Sequence, residues 1–289
     1  MEWVEIDTEK CNDCGLCQMV CRKCIFNKEG KISIEGTEQN CNLCGRCVAI
    51  CPRGAVFHHR MDMKNFLPID KEAVFTPDNF MNFIRRRRSH RLFREQAVPK
   101  AELEMLVEAC RYAPTGSNVQ DVELLIIQDK ERIQRLSDLT VDFFEQMIRD
   151  IEGKMAALQS DGQEIPADLA FHAARLDARK RLSVARETGL DPIFHRAPVV
   201  MIFHSPILTS TPKDNCVIAA HNAVLTAMTL GLETCYIGLF EAAANIYSPI
   251  TRDLNLPEGQ QVYSVLILGY PKLRYLRTVD RKPIQVRWA

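Results

Sequence analysis

The stretch Cys41-Asn42-Leu43-Cys44-Gly45-Arg46-Cys47-Val48-Ala49-Ile50-Cys51-Pro52 repeats the spacing of Cys11-Asn12-Asp13-Cys14-Gly15-Leu16-Cys17-Gln18-Met19-Val20-Cys21. Both copies read C-x2-C-x2-C-x3-C, and a proline closes the second. Thiolates at this spacing wrap a loop around an iron–sulfur cubane, with backbone N–H groups aimed at its sulfurs. A structural zinc site takes two ligands from one C-x2-C knuckle and two from a distant one. Here three cysteines crowd each loop and a fourth follows closely. That crowding suits a cluster with several irons better than one tetrahedral ion. A disulfide framework fits less well, because no secretory signal peptide is read and the cysteine density is confined to one end.

Working outward, Val4 and Ile6 precede the first copy, Ile32 and Ile34 the second, and Val56 and Phe57 follow it. They read as short hairpin strands over a very small core, with metal binding supplying most of the cohesion. The first sixty or so residues resemble a bacterial two-[4Fe-4S] ferredoxin. In such proteins the fourth cysteine of each run ligates the other cluster. The resemblance therefore implies Cys11, Cys14, Cys17 and Cys51 for one cluster, and Cys41, Cys44, Cys47 and Cys21 for the other. The chain departs from the pattern at Arg22, where a proline would stand, and at Cys24. Cys24 aligns with Gly54 of the second copy and is read as a packed thiol, with replacement of Cys21 as the alternative.

The chain of 289 residues leaves room for a second domain with a full core. Acidic and basic residues balance at 37 each, which gives no electrostatic case for nucleic acid or an anionic membrane. No apolar run approaches the roughly 20 residues of a membrane span. Cys110, Cys216 and Cys235 lie in apolar stretches and read as reduced core residues. A soluble protein of a reducing, low-oxygen cytoplasm is expected. The boundaries read as a cluster domain at 1–60, a linker at 61–75 and a larger domain at 76–289.

Thr76, Pro77 and Asp78 signal a helix start. That helix runs into Arg85, Arg86, Arg87 and Arg88. Taken alone, four arginines allow a nucleic-acid patch, a solvated helix end or an anion cradle of guanidinium forks. Next come an amphipathic helix from Pro99, the polar loop Ala113-Pro114-Thr115-Gly116-Ser117-Asn118-Val119-Gln120, and a buried strand over Val122–Ile127.

This order, with Arg87-Arg88-Ser89-His90-Arg91-Leu92-Phe93, closely resembles the FMN-dependent nitroreductase family. The likeness continues through a helix from Cys216 to Leu230, the segment Thr234–Gly238, a strand over Val262–Leu268, and Arg281-Lys282-Pro283. It implies that Arg87, Arg88, Ser89, Arg91 and Arg281 hold the FMN phosphate. It implies that Pro114, Thr115, Gly116 and Asn118 contact the isoalloxazine from a second subunit, with Gly238 and Leu239 offering backbone groups to the ring. A homodimer follows from the family's shared flavin site. The glycine in the loop is expected to let backbone approach a flat ring. The helical stretch 129–196 reads as a core or dimer element, with a lid over the flavin as the alternative. His172, His195, His204 and His221 read as structural. With no dinucleotide or Walker fingerprint, a nicotinamide would have to dock on the flavin itself.

The expected fold class is therefore α+β: a small ferredoxin-like 2[4Fe-4S] domain, then a nitroreductase-like α/β/α domain with a mainly antiparallel central sheet. The expected function is an iron–sulfur flavoprotein oxidoreductase. A low-potential donor such as a ferredoxin would feed the clusters and then FMN, which reduces a small-molecule acceptor: a nitro compound, a quinone or an activated double bond. The alternatives are an NAD(P)H-driven reductase with the clusters as an outlet, and a redox relay or sensor without small-molecule turnover. No catalytic residue of the chain itself is singled out, since the cofactor carries such chemistry.

Overall fold

The structure is a computed structural model that describes residues 2–289. The chain divides into two compact units: residues 1–76 with 117–119, and residues 77–116 with 120–289.

In the first unit the duplication is visible in the backbone. Strand β1 (Val4–Ile6) precedes helix α1 (Leu16–Val20), and strands β2 (Ile25–Lys28) and β3 (Lys31–Ile34) form a hairpin. Helices α2 (Thr37–Asn40) and α3 (Arg46–Ile50) follow, then strand β4 (Val56–His58). β1 pairs antiparallel with β4, and β2 with β3. Asp13 and Leu43 occupy the same left-handed conformation, each at φ 53°. Gly15 and Gly45, at φ 75° and 66°, sit immediately before α1 and α3. A residue with a Cβ is strained there, so both glycines are required by the turn. The apolar core is small: Val4, Cys17, Ile25, Cys47 and Val56. Residues 61–75 hold one short turn of helix at Met63–Asn65 and no strand.

The second unit begins with helix α4 (Pro77–Arg86), started by the proline that the sequence marks. Helix α5 (Lys100–Arg111) and strand β5 (Glu123–Ile127) follow. The stretch 129–196 folds into α6 (Lys130–Ser160), α7 (Ala167–Ala173) and α8 (Leu176–Glu187). Then come β6 (Val199–Pro206), α9 (Pro212–Thr229), β7 (Glu233–Tyr236), α10 (Gly238–Ala244), α11 (Ser248–Leu254) and β8 (Gln260–Gly269). The sheet order is β5-β6-β8-β7, antiparallel throughout.

Alternation along the central strands sends side chains to two cores. Val199, Met201 and Phe203 of β6 join Leu266 and Leu268 of β8 under α5 and α9, where Leu103, Leu106, Ala219, Ala223 and Val224 close the layer. Val200, Ile202, Val265 and Ile267 face α6, α10 and α11, meeting Leu136, Phe240 and Ile250. The unit is thus a helix–sheet–helix sandwich. β5 differs from the buried strand that its sequence suggests. As the edge strand it leaves Glu123 exposed and buries only Ile127 fully. The long α6 splits its work: its first turns pack on the sheet, while Ile148 and Ile151 make a satellite cluster with Leu176 of α8.

Candidate cofactor sites

In the first unit the eight repeat cysteines separate into two groups by place. Cys11, Cys14, Cys17 and Cys51 line one cavity, with Ile6, Ile32 and Val56 around them. Cys21, Cys41, Cys44 and Cys47 line a second, together with Cys24 and His58. Each cavity therefore takes three cysteines from one copy and the last from the other. Burial, with the charges of Cys11 and Cys51 adding to it, raises the Cys17 thiol. Burial and the neighbouring Cys21, Cys44 and Cys41 push Cys47 up to about 11. Thiols raised in this way ionise more readily beside positive charge, and Arg46 already holds Cys44 below the usual thiol range despite its burial. The thiols are spread around each cavity rather than gathered on a point: among the described residues no three His, Cys, Asp or Glu converge on one ion.

Cys24, whose role the sequence leaves open, is 1% exposed, and burial, with Cys21 and Cys41 adding, pushes its thiol up to about 11. Sequence reading did not single out His58. Its ring is fully buried, with Nε2 3.5 Å from Cys41 Sγ. Arg46 Nε lies 3.4 Å from Cys44 Sγ. Ser117–Val119 group with this unit, and Asn118 Nδ2 donates to the carbonyls of Asn42 and Leu43 at 2.9 and 3.1 Å.

In the second unit the arginine run meets β7. Ser89 bridges Thr234 in parallel, and the His90 amide donates to the Thr234 carbonyl at 3.0 Å. Arg87 and Arg88 are half-buried beside them, and Arg91 is exposed. Among the described residues, none of the three makes a side-chain hydrogen bond or an ion pair. Burying cations is costly unless a counter-charge is near, and the carboxyl that Arg86 and Arg87 act on is Glu233 of β7. His90 is buried beneath, with Nε2 3.4 Å from Glu233 Oε2. Burial, then Arg88 and Arg87, holds its imidazole below the usual range. Burial raises Glu233, with Arg86 and Arg87 opposing. Both shifts run toward the neutral forms and so weaken this contact as an ion pair. β7 leads directly into Gly238 and Leu239 at the start of α10, both exposed. A Cβ on Gly238 would meet nothing within 4 Å, so the space above it is open.

The loop after α5 is strained: Ser117, Asn118 and Gln120 all have positive φ, at 53°, 58° and 51°. Non-glycine residues held there cost about 1 kcal/mol or more each and collect at functional sites. Gly116 also answers to a packing need that sequence reading does not show. A Cβ there would lie 2.4 Å from Thr211 Oγ1 and 2.5 Å from Ser210 Oγ. The glycine thus lets the loop pack on the 210–211 turn. Its amide donates to Asn215 Oδ1 at 2.9 Å, and Asn215 Nδ2 in turn bonds the Ser210 carbonyl at 2.7 Å. Pro114 is exposed and Thr115 half-buried, with Thr115 Oγ1 accepting from the Gln120 amide at 3.0 Å. Arg281 lies in an exposed C-terminal segment without regular structure, where its own amide bonds Asp280. Within this single chain, no hydrogen bond or ion pair among the described residues joins it to Arg87, Ser89 or Arg91.

Comparison with known proteins bears on the second unit. A family model described as the nitroreductase family matches residues 84–270. A chloronitrobenzene nitroreductase from Comamonas testosteroni is 26% identical over 205 residues, covering 65% of this chain and 85% of that protein. Among solved structures, a nitroreductase with bound FMN from Bacteroides fragilis aligns with TM-score 0.52 at 20% identity, over 72% of this chain and 98% of the other. A BluB-like flavoprotein from Clostridium difficile aligns with TM-score 0.54 at 16% identity, over 71% and 94%. At these identities the two structures show a shared fold.

Proposed function

The chain belongs to the nitroreductase family, and from that premise we propose that it is an FMN-dependent oxidoreductase whose N-terminal unit carries two [4Fe-4S] clusters serving the flavin. When bound, the clusters carry single electrons and FMN exchanges one- for two-electron chemistry with a small-molecule acceptor. The observation that carries the cluster half is the sorting of eight cysteines into two cavities, each closed by the last cysteine of the other copy. Cys11, Cys14, Cys17 and Cys51 hold one cluster; Cys21, Cys41, Cys44 and Cys47 hold the other.

The flavin half rests on the family and on the unpaired cations. Arg87, Arg88, Arg91 and Ser89 bind the FMN phosphate at the edge of β7. Gly238 and Leu239 present backbone to the ring over open space. Pro114, Thr115, Gly116 and Asn118 on their strained loop, with Arg281 on its exposed segment, complete the site in a homodimer. Exposure of Leu276 at 90% and Trp288 at 90% gives that segment apolar surface for a second copy to cover. The acceptor is an electrophile such as a nitro group, a quinone or an activated double bond.

The test is anaerobic rapid mixing of the holoprotein with a reduced low-potential ferredoxin, NADH and NADPH in turn, following flavin absorbance. The reading expects fast bleaching by the ferredoxin, abolished in Cys47→Ser. Bleaching by a pyridine nucleotide alone, unaffected by Cys47→Ser, would instead place hydride entry at the flavin and make the clusters an outlet.

A further inference from the structure

The two cysteine sets differ in what surrounds their sulfurs, and the difference is electrostatic. In the second set, His58 is fully buried on β4. Its Nδ1 accepts the Arg60 amide at 3.2 Å. A neutral imidazole accepting at one nitrogen carries its hydrogen on the other. His58 Nε2–H is thus a fixed donor, 3.5 Å from Cys41 Sγ. Arg46 Nε–H donates to Cys44 Sγ at 3.4 Å, and Arg22 and Lys23 also border this cavity.

Among the described residues the first set has backbone donors alone, among them the Asp13 amide to Cys11 Sγ at 3.5 Å and the Ala55 amide to Cys51 Sγ at 3.2 Å. Arg53 borders that cavity without a bond to any thiol among the described residues. The carboxylate of Asp13 lies 3.8 Å from Cys11 Sγ. The duplication gives the comparison an internal control. Thirty residues before Arg46 stands Leu16, and thirty before His58 stands Lys28, which pairs with Glu35.

We propose that His58 and Arg46 make the two cluster sites unequal, so that the site of Cys21, Cys41, Cys44 and Cys47 has the higher reduction potential and holds the first electron. The inference rests on the reading of two clusters given above. Its physical basis is simple: adding an electron makes the thiolate-ligated cluster more negative, and N–H donors and cations at its sulfurs favour that state. His58 and Arg46 act as positioning and tuning residues; neither is catalytic.

The experiment is a redox titration of the anaerobically purified full-length protein, followed by electron paramagnetic resonance, with iron and acid-labile sulfide counted in each sample. Two resolved one-electron waves are expected. His58→Leu should move only the upper wave to more negative potential, by about 59 mV for each tenfold loss of electron affinity. His58→Gln, which keeps an N–H donor, should move it less. Arg46→Leu changes an exposed residue and gives the same reading by a second route. Leu16→Arg should raise the lower wave and narrow the gap. Coincident waves in the native chain, or an upper wave indifferent to both His58→Leu and Arg46→Leu, would overturn the proposal. A native protein with zinc or no iron would instead defeat the underlying cluster reading.

Discussion

The two units are held together by different means. The first encloses Val4, Ile25 and Val56 with two of its own candidate ligands, Cys17 and Cys47, as its buried core. The second has an extensive apolar core on each face of a four-stranded sheet. Units below about 70–80 residues seldom bury enough apolar surface to be very stable unaided. On the proposed cluster reading, folding and cofactor loading are one process in the first unit, whereas the second can fold before it is loaded.

The sharpest way to break the comparison is to remove metal. Chelation of reduced protein should abolish amide-exchange protection in β1–β4 and in the β2–β3 hairpin while leaving β6 and β8 protected. Protection lost in both units alike would show that they do not stand apart. The converse is Phe203→Ala, at a residue with 0% exposure in the core of the second unit. It should cost about 3–5 kcal/mol in that unit's unfolding transition, with iron content unchanged.

Gly269→Ala should cost less, about 1–3 kcal/mol, through overpacking. Its Cβ would lie 2.7 Å from the Pro198 ring and 3.1 Å from Phe93. Gly238→Ala should leave stability within about 0.5 kcal/mol, since the space is open, yet weaken FMN binding. Equal flavin affinity in that variant would remove Gly238 from the site.

Acidification acts through buried histidines of both units, since burial also holds His58 of the first below its ordinary range. Burial holds His90 and His195 below the ordinary 6.5, with Arg88 and Arg87 adding at His90, and Arg91 adding and Asp191 opposing at His195. The unfolded chain takes those protons near 6.5, and the folded chain only at lower pH. The second unit should therefore lose stability as pH falls below 6.5. Glu233, raised above 4.5 by burial, opposes this, because protonating it favours the folded state. His90→Gln should flatten the dependence of the melting temperature between pH 7.5 and 5.5, both chosen to bracket the usual histidine range of about 6.5; an unchanged slope would exclude His90 as a source.

Much of this was legible in the chain because punctuation and spacing are local. Pro77 opens α4, and a glycine at φ 73°, Gly231, stands two residues past the end of α9. The spacing marks two cysteine copies, while the grouping of thiols across copies came from the resemblance to two-cluster ferredoxins and not from spacing. What was not legible depends on partners far away in sequence. His58 is one residue of a three-residue strand, and nothing in its neighbours announces Cys41. β2 was missed because Ile25-Phe26-Asn27-Lys28 is half polar and too short to show a period. The packing constraint on Gly116 was not legible because the 210–211 turn lies nearly a hundred residues on. The buried strand expected at Val122–Ile127 lies at a sheet edge and is only partly buried, since strand order is not written in a strand's own residues.

The most direct measurement is the count of iron, acid-labile sulfide and flavin per chain in protein purified without oxygen. The account predicts about eight irons and eight sulfides, the content of two [4Fe-4S] clusters, together with one FMN. Zinc in place of iron, or flavin with no sulfide, would contradict it.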